Sequence, residues 1–145
     1  MAHVRQQIRE AVATALTGLA TTGSRISQAR MAPRRAGDLP CLLVETADER
    51  IEQGAQSRLM RELTVIVRGF AKANTSLDDT LDQIAGEVET ALASAGSLGG
   101  LVPGGITPTQ VSIDFDDTLE QPAGVIVMEY RATYFAALGS PNSVI

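Results

Sequence analysis

The chain has 145 residues, a formal net charge of −5 and a hydrophobic fraction of 44%. That length and apolar content suit one domain with its own core and exclude wholesale disorder. An acidic total argues against a nucleic-acid binder that uses its whole surface, and the single Cys41 excludes an internal disulfide.

Aromatic residues make up 3% and Trp is absent. The core must therefore rest on Leu, Ile, Val and Ala. Arg5, Arg9 and Glu10 interrupt the first apolar positions, unlike a secretory signal. No apolar run approaches the length of a membrane span. The expectation is a soluble cytoplasmic protein with no membrane contact. The charge is uneven: residues 1–40 carry +4 and residues 41–145 carry −9. Such an asymmetry suits a protein whose opposite faces meet different neighbours.

Taken in order, the first element is a helix over His3 to Leu19. Val4, Ile8, Val12, Leu16 and Leu19 recur at spacings of four and three, which makes one apolar stripe. Ser24 to Met31 alternates weakly and carries charge, as an edge strand does. Pro33 to Pro40 is a loop bracketed by prolines. Cys41 to Val44 is a short apolar run, consistent with a strand buried on both faces. Asp48 to Ser57 is polar around Gly54 and looks like a long hairpin connection. Its partner strand is Arg58 to Phe70, with Leu63, Val65 and Val67 on one face.

The second helix follows a turn at Ala71 to Ser76. Ser76 is a suitable N-cap, and Asp78 and Asp79 stand in the first turn, where the helix dipole favours negative charge. Leu77, Leu81, Ile84, Val88 and Leu92 form its stripe, and Gly96 ends it. Ser97 to Pro108 is a Gly- and Pro-rich loop. Thr109 to Phe135 then reads as a hairpin. Val111, Ile113 and Phe115 alternate with Ser112, Asp114 and Asp116, and the second strand places Tyr130, Ala132 and Tyr134 on one face. Gly139 to Ile145 is a short mobile or docking tail. The resulting expectation is an α+β domain of order α-β-β-β-α-β-β. Two amphipathic helices pack on a mainly antiparallel sheet of about four to five strands.

No catalytic constellation stands out. Asp114, Asp116, Asp117 and Glu120 crowd one end of the last hairpin, where a divalent cation could bridge two of them. Their spacing matches no calcium loop and no His accompanies them. A solvated acidic turn is the simpler reading. Asp78, Asp79 and Asp82 are explained by a helix start, His3 by a chain terminus, and Cys41 by a buried strand. The glycines at 99, 100, 104 and 105 lack the Lys-Ser or Lys-Thr of a phosphate loop. Arg25, Arg30, Arg34 and Arg35 could meet a phosphate backbone, but no aromatics interleave with them. A protein–protein contact rich in Arg is the simpler reading. No cofactor and no metal is expected.

Four stretches carry a family resemblance. They are Val4 to Leu19; Pro33 to Thr46; Arg61 to Val67 followed by Leu77 to Ala85 and Val88 to Leu92; and Glu120 to Gly124 leading into Met128 to Tyr134. In this order, and at this length, the chain resembles the tail terminator proteins of long-tailed, siphovirus-type bacteriophages, and is similar to the minor tail protein U family of lambdoid phages. The resemblance implies one structural domain over 1–145, with 137–145 as its tail, and no catalytic residues. It implies a homo-hexameric ring at the head-proximal end of the virion tail, assembled in the host cytoplasm. Such a ring caps the tail tube, stops its polymerisation and presents a surface to a head–tail connector or head-completion protein. DNA passes through the lumen without sequence-specific binding.

Within that frame, a subunit interface is expected between Arg25, Arg30, Arg34 and Arg35 of one copy and Asp114, Asp116, Asp117 or Glu120 of the next. Glu52, Gln53, Gly54 and Gln56 at the hairpin tip are the expected contact with tube or connector. Tyr130, Tyr134 and Phe70 would serve as aromatic anchors if exposed. The alternatives are another head–tail connector or tube subunit, a metal-dependent hydrolase using the Asp114–Glu120 carboxylates, and a small nucleic-acid-binding module using the arginines.

Overall fold

The structure is a computed structural model that describes residues 2–28, 38–116 and 122–145, with Asp116 described by its backbone alone. Its elements are α1 (Val4–Ala15), β1 (Ile26–Ser27), β2 (Cys41–Gln53), β3 (Arg58–Lys72), α2 (Leu77–Ala95), β4 (Ile106–Asp116) and β5 (Ala123–Ala137). This is the α-β-β-β-α-β-β order expected of an α+β domain. The strands form one five-stranded sheet of order β1-β2-β3-β5-β4. All neighbours are antiparallel except β1, which runs parallel to β2 through Ile26–Leu42 and Ser27–Leu43.

The spine of the sheet is the β3–β5 pair, in register from Arg58–Ala137 to Lys72–Ala123. Alternation decides what each strand buries. Leu63, Val65 and Val67 on β3 face the same side as Ile126, Met128, Tyr130, Ala132 and Tyr134 on β5, and all are buried. Onto that face pack Val4, Ile8 and Val12 of α1 and Leu81, Ile84, Val88 and Leu92 of α2, forming one main core. A smaller cluster on the opposite face joins Leu39, Cys41, Leu43, Phe70, Ala123 and Val125.

Gly69 lets α2 approach the sheet. A Cβ there would stand 2.7 Å from Ile84 Cγ2 and 3.1 Å from Ile126 Cγ2. Glu87 ties the segment after α1 to α2, accepting from Thr21 N at 2.9 Å and from the Thr21 hydroxyl at 2.6 Å. The C-terminal residues bond back onto the domain: Val4 N donates to Pro141 O at 2.8 Å and Ile145 N to Phe135 O at 3.0 Å.

Several boundaries differ from the sequence reading. Residues 48–53 are not loop. β2 continues to Gln53, and only Gly54 and a 3₁₀ turn at Ala55–Ser57 connect it to β3. This arm is exposed, so no apolar period marks it, and its pairing with β3 alone makes it strand. α1 stops at Ala15 with Leu16 as its C-cap, and Leu19 instead bridges Gly23. β1 is only Ile26–Ser27 at the edge; the rest of the expected strand beyond Gln28 lies outside the described residues. β4 starts at Ile106 and includes Pro108, which an edge strand tolerates, followed by a register shift before Gln110. Ser76 stands at the N-cap of α2, yet its side chain bonds none of the helix amides. Asn74 Oδ1 instead accepts from Ser76 N at 2.9 Å.

Replacing Gly69 with Ala pushes a methyl into Ile84. The expected cost is about 1–3 kcal/mol. It is read as a lower urea midpoint with an unchanged slope.

Candidate assembly surfaces

The helix layer is narrower than the sheet. Val111, Ile113 and Phe115 pair with Met128, Ile126 and Gly124 of β5, so they share the helix-covered side. They nevertheless remain 49%, 54% and 56% exposed. The alternation read from the sequence holds, but its apolar set lies beyond the helices instead of under them. β4 pairs only with β5 among the described residues, which leaves its outer backbone edge open. A long edge with exposed apolar residues is a template for further pairing.

The other side of the sheet has a second open edge. β1 covers only Leu42 and Leu43 of β2. Beyond them, among the described residues, β2 pairs with β3 alone. This distal arm carries Arg50 and a lone apolar residue, Ile51, which is 50% exposed. Ile51 lies opposite Arg61 and Arg50 opposite Glu62, so the two residues point to opposite faces.

A buried charged cluster fastens the arm to the domain. Glu49 has only 4% of its side chain exposed. It accepts from Arg61 Nη1 at 3.0 Å, from Arg5 Nη1 at 3.2 Å and from the Tyr134 hydroxyl at 2.5 Å. One carboxylate thus joins α1, β2, β3 and β5. Burial pushes the Tyr134 phenol well above its usual value, and the Glu49 carboxylate adds to the shift. Burial also pushes Tyr130 up, to about 12, with the charge of Glu89 second. His3 starts α1, its Nδ1 accepting from Arg5 N at 3.1 Å. Burial, then the Arg5 charge, lowers its pKa and favours the neutral ring that this bond requires.

The expected hairpin-tip residues do meet. Glu52, Gln53, Gly54 and Gln56 line a shallow cavity of about 600 Å³ with Arg58 and Phe135. The Arg58 guanidinium stacks over the Phe135 ring at 4.3 Å. Gln56 and Ser57 both adopt positive φ, at 57° and 61°, in a tight reversal that Asn-Gly would fill more easily.

The expected subunit-interface residues are seen only in part. Arg30, Arg34, Arg35, Asp117 and Glu120 lie outside the described residues, as does the side chain of Asp116. Arg25 precedes β1 at one edge of the sheet. Its guanidinium donates to Pro40 O at 2.8 Å and to Thr21 O at 3.0 Å. Asp114 is exposed on β4 at the opposite edge, accepting from Phe115 N at 2.8 Å. Across the sheet, Asp114 stands level with Val125, Phe70 and Cys41, the end of β2 that lies beside β1. Arg25 and Asp114 therefore share one end of the sheet, and the hairpin tip occupies the other.

Tyr130, Tyr134 and Phe70 cannot be aromatic anchors, because all three are buried. Phe115 is the exposed aromatic residue among those described, and Phe135 is half-buried at the tip cavity. Sequence reasoning also missed Ile51, Glu49 and Arg61. A solitary Ile in a polar run was the available signal for the first. The pairing of Glu49 with Tyr134, 85 residues apart, left none. Among the described residues no group of three or more His, Cys, Asp or Glu is placed to hold a metal, and Cys41 is buried. Among the described residues no helix is long and apolar enough to cross a membrane.

No family model and no curated protein matches the chain. A solved chain described as part of the virion of a native gene transfer agent particle is similar over 90% of this chain and 92% of its own length. The identity is 16% and the TM-score 0.44.

Replacing Glu49 with Gln strands the Arg61 charge, at an expected cost of about 3 kcal/mol in urea unfolding. The two phenols give the domain an alkaline limit. Unfolded tyrosines ionise near pH 10, below the folded values, so the folded state holds the extra protons and loses stability as pH rises from about 10. Thermal melts between pH 8 and 11 are expected to fall at the upper end. The fall should be shallower in Tyr134→Phe.

Proposed function

We propose that this chain is a structural virion protein, the tail terminator of a long-tailed phage-like particle. It acts as a homo-hexameric ring on the tail tube, ends tube growth and presents the head-joining surface. The observation that carries the assembly part is the pair of open, apolar-bearing sheet edges on opposite sides of one subunit. A head-to-tail ring uses two different patches per copy, and such edges supply them. The ordered sequence resemblance supports the terminator role in particular. The role is structural and requires no cofactor. Its setting is the head-proximal end of the virion tail, after assembly in the host cytoplasm.

In this reading the basic segment of one copy, Arg25, Arg30, Arg34 and Arg35, faces the acidic end of the next copy's last hairpin, Asp114, Asp116, Asp117 and Glu120. Charge pairs of that kind set register and orientation more than affinity. The tip residues Glu52, Gln53, Gly54 and Gln56 meet the tube or the connector. DNA passes the lumen without specific readout. A tube or connector subunit would also need two edges, so termination itself must be tested.

Silencing the gene and measuring tails by negative-stain microscopy does this. Overlong tubes without heads, shortened again when the purified protein is supplied, are expected. Tubes of normal length lacking heads would identify a connector instead. Absent tubes would identify a tube subunit. Independently, Arg34→Glu with Arg35→Glu is expected to abolish the ring in gel filtration, and an intact ring would remove the charge-pairing role.

A further inference from the structure

The two open edges belong to one sheet and match each other in chemistry. β4 runs antiparallel to β5, β5 to β3, and β3 to β2. In a head-to-tail arrangement that keeps subunits in the same sense, β4 of one copy therefore meets β2 of the next as an antiparallel neighbour. On the helix-covered side, β4 shows Val111, Ile113 and Phe115, and the distal arm of β2 shows Ile51. On the opposite side, β4 shows Asp114 and the arm shows Arg50, both exposed.

We propose that β4 of one copy adds to the distal arm of β2 of a second copy, with Ile113 opposite Ile51 and Asp114 opposite Arg50. An antiparallel register that sets the first pair necessarily sets the second, because each step forward on one strand is a step back on the other. The apolar pair then falls on one face and the charge pair on the other. Both are favourable cross-strand combinations. A slip of one residue would send every side chain of β4 to the wrong face. Two-fold pairing of β4 with itself brings the acidic stretch of one copy onto the same strand of the other and leaves Ile51 and Arg50 unused.

The occupant of the edge is thus a second copy of this chain. The pairing deepens the proposed ring: it takes self-association from that reading and gives Asp114 to Arg50 of the neighbour in place of Arg25. It also staggers the copies. Asp114 stands level with Cys41 in its own sheet, whereas it meets Arg50 of the neighbour, roughly 25 Å further along the strands at ~3.3 Å per residue. Closure into a ring then requires strands tilted to the ring axis, as in closed barrels. The same stagger carries the C-terminal end of β4 toward the neighbour's β1, beside which Arg25 stands.

Mixing Ile51→Cys protein with Ile113→Cys protein under mild oxidation tests the register. Cys41 is buried and stays in place, with the unmodified chain as control. Disulfide-linked species that form in the mixture and in neither variant alone are the expected result. Linked dimers of Ile113→Cys alone would overturn the proposal in favour of two-fold β4 pairing. An oligomer seen by mass photometry without the mixed link would overturn the pairing while leaving a ring intact. A monomer at every concentration and in the presence of tubes would overturn both. Charge reversal gives an independent readout: Arg50→Asp and Asp114→Arg are each expected to weaken association about fivefold, and together to restore it. Failure of the double variant to recover would also overturn the proposal.

Discussion

The structure depends on a mismatch of widths. Two helices supply one layer over a five-stranded sheet, and their stripes leave Val111, Ile113 and Phe115 of β4 and Ile51 of β2 exposed. β3 and β5 lie under the helices and carry the densest apolar rows. The hydrophobic term that drives folding is concentrated there. β4 and the distal arm of β2 are held by backbone pairing to those central strands and bury little of their own. Within the described sheet, the large apolar residues that folding leaves exposed therefore lie in two strips at opposite margins, both backed by rigid β-structure. A surface of this kind can pair with another chain with little further ordering, which keeps the entropic cost of association low.

The buried cluster around Glu49 makes the arm rigid enough to serve. Without it, residues 49–53 would be an exposed edge strand held to β3 by backbone pairing alone. Arg5, Arg61 and Tyr134 converge on one carboxylate from three other elements. Burying those charges has its own desolvation cost, so the cluster is better understood as fixing where the arm lies than as adding net stability. It also links the start of α1 to the arm, through the neutral His3 cap and the neighbouring Arg5.

How far the sequence could be read follows from which signals are local. The stripes of α1 and α2 were legible because each helix buries a face with its own period. So were the rows of β3 and β5, where alternation and burial agree. β4 was legible as a strand, but its burial was not. Alternation records which residues share a face and says nothing of whether a helix reaches that face. The arm of β2 was misread as a loop, since both its faces are wet and only its long-range pairing with β3 makes it strand. The tip residues lie together at one cavity because a hairpin turn is local. The buried tyrosines could not be distinguished from surface anchors, since spacing alone does not tell which side of a sheet carries the helices. Glu49 was invisible for the same reason: its partners are distant in sequence and meet only in the fold.

The central claim is that this chain forms one closed ring at the end of a tail. The most direct measurement is cryo-electron microscopy of tails assembled with an affinity-tagged copy of the protein, with the tag used to locate it. The account predicts a single six-fold ring at the head-proximal end and tag density nowhere else. Tag density repeated along the tube, or its absence from the tail, would contradict it.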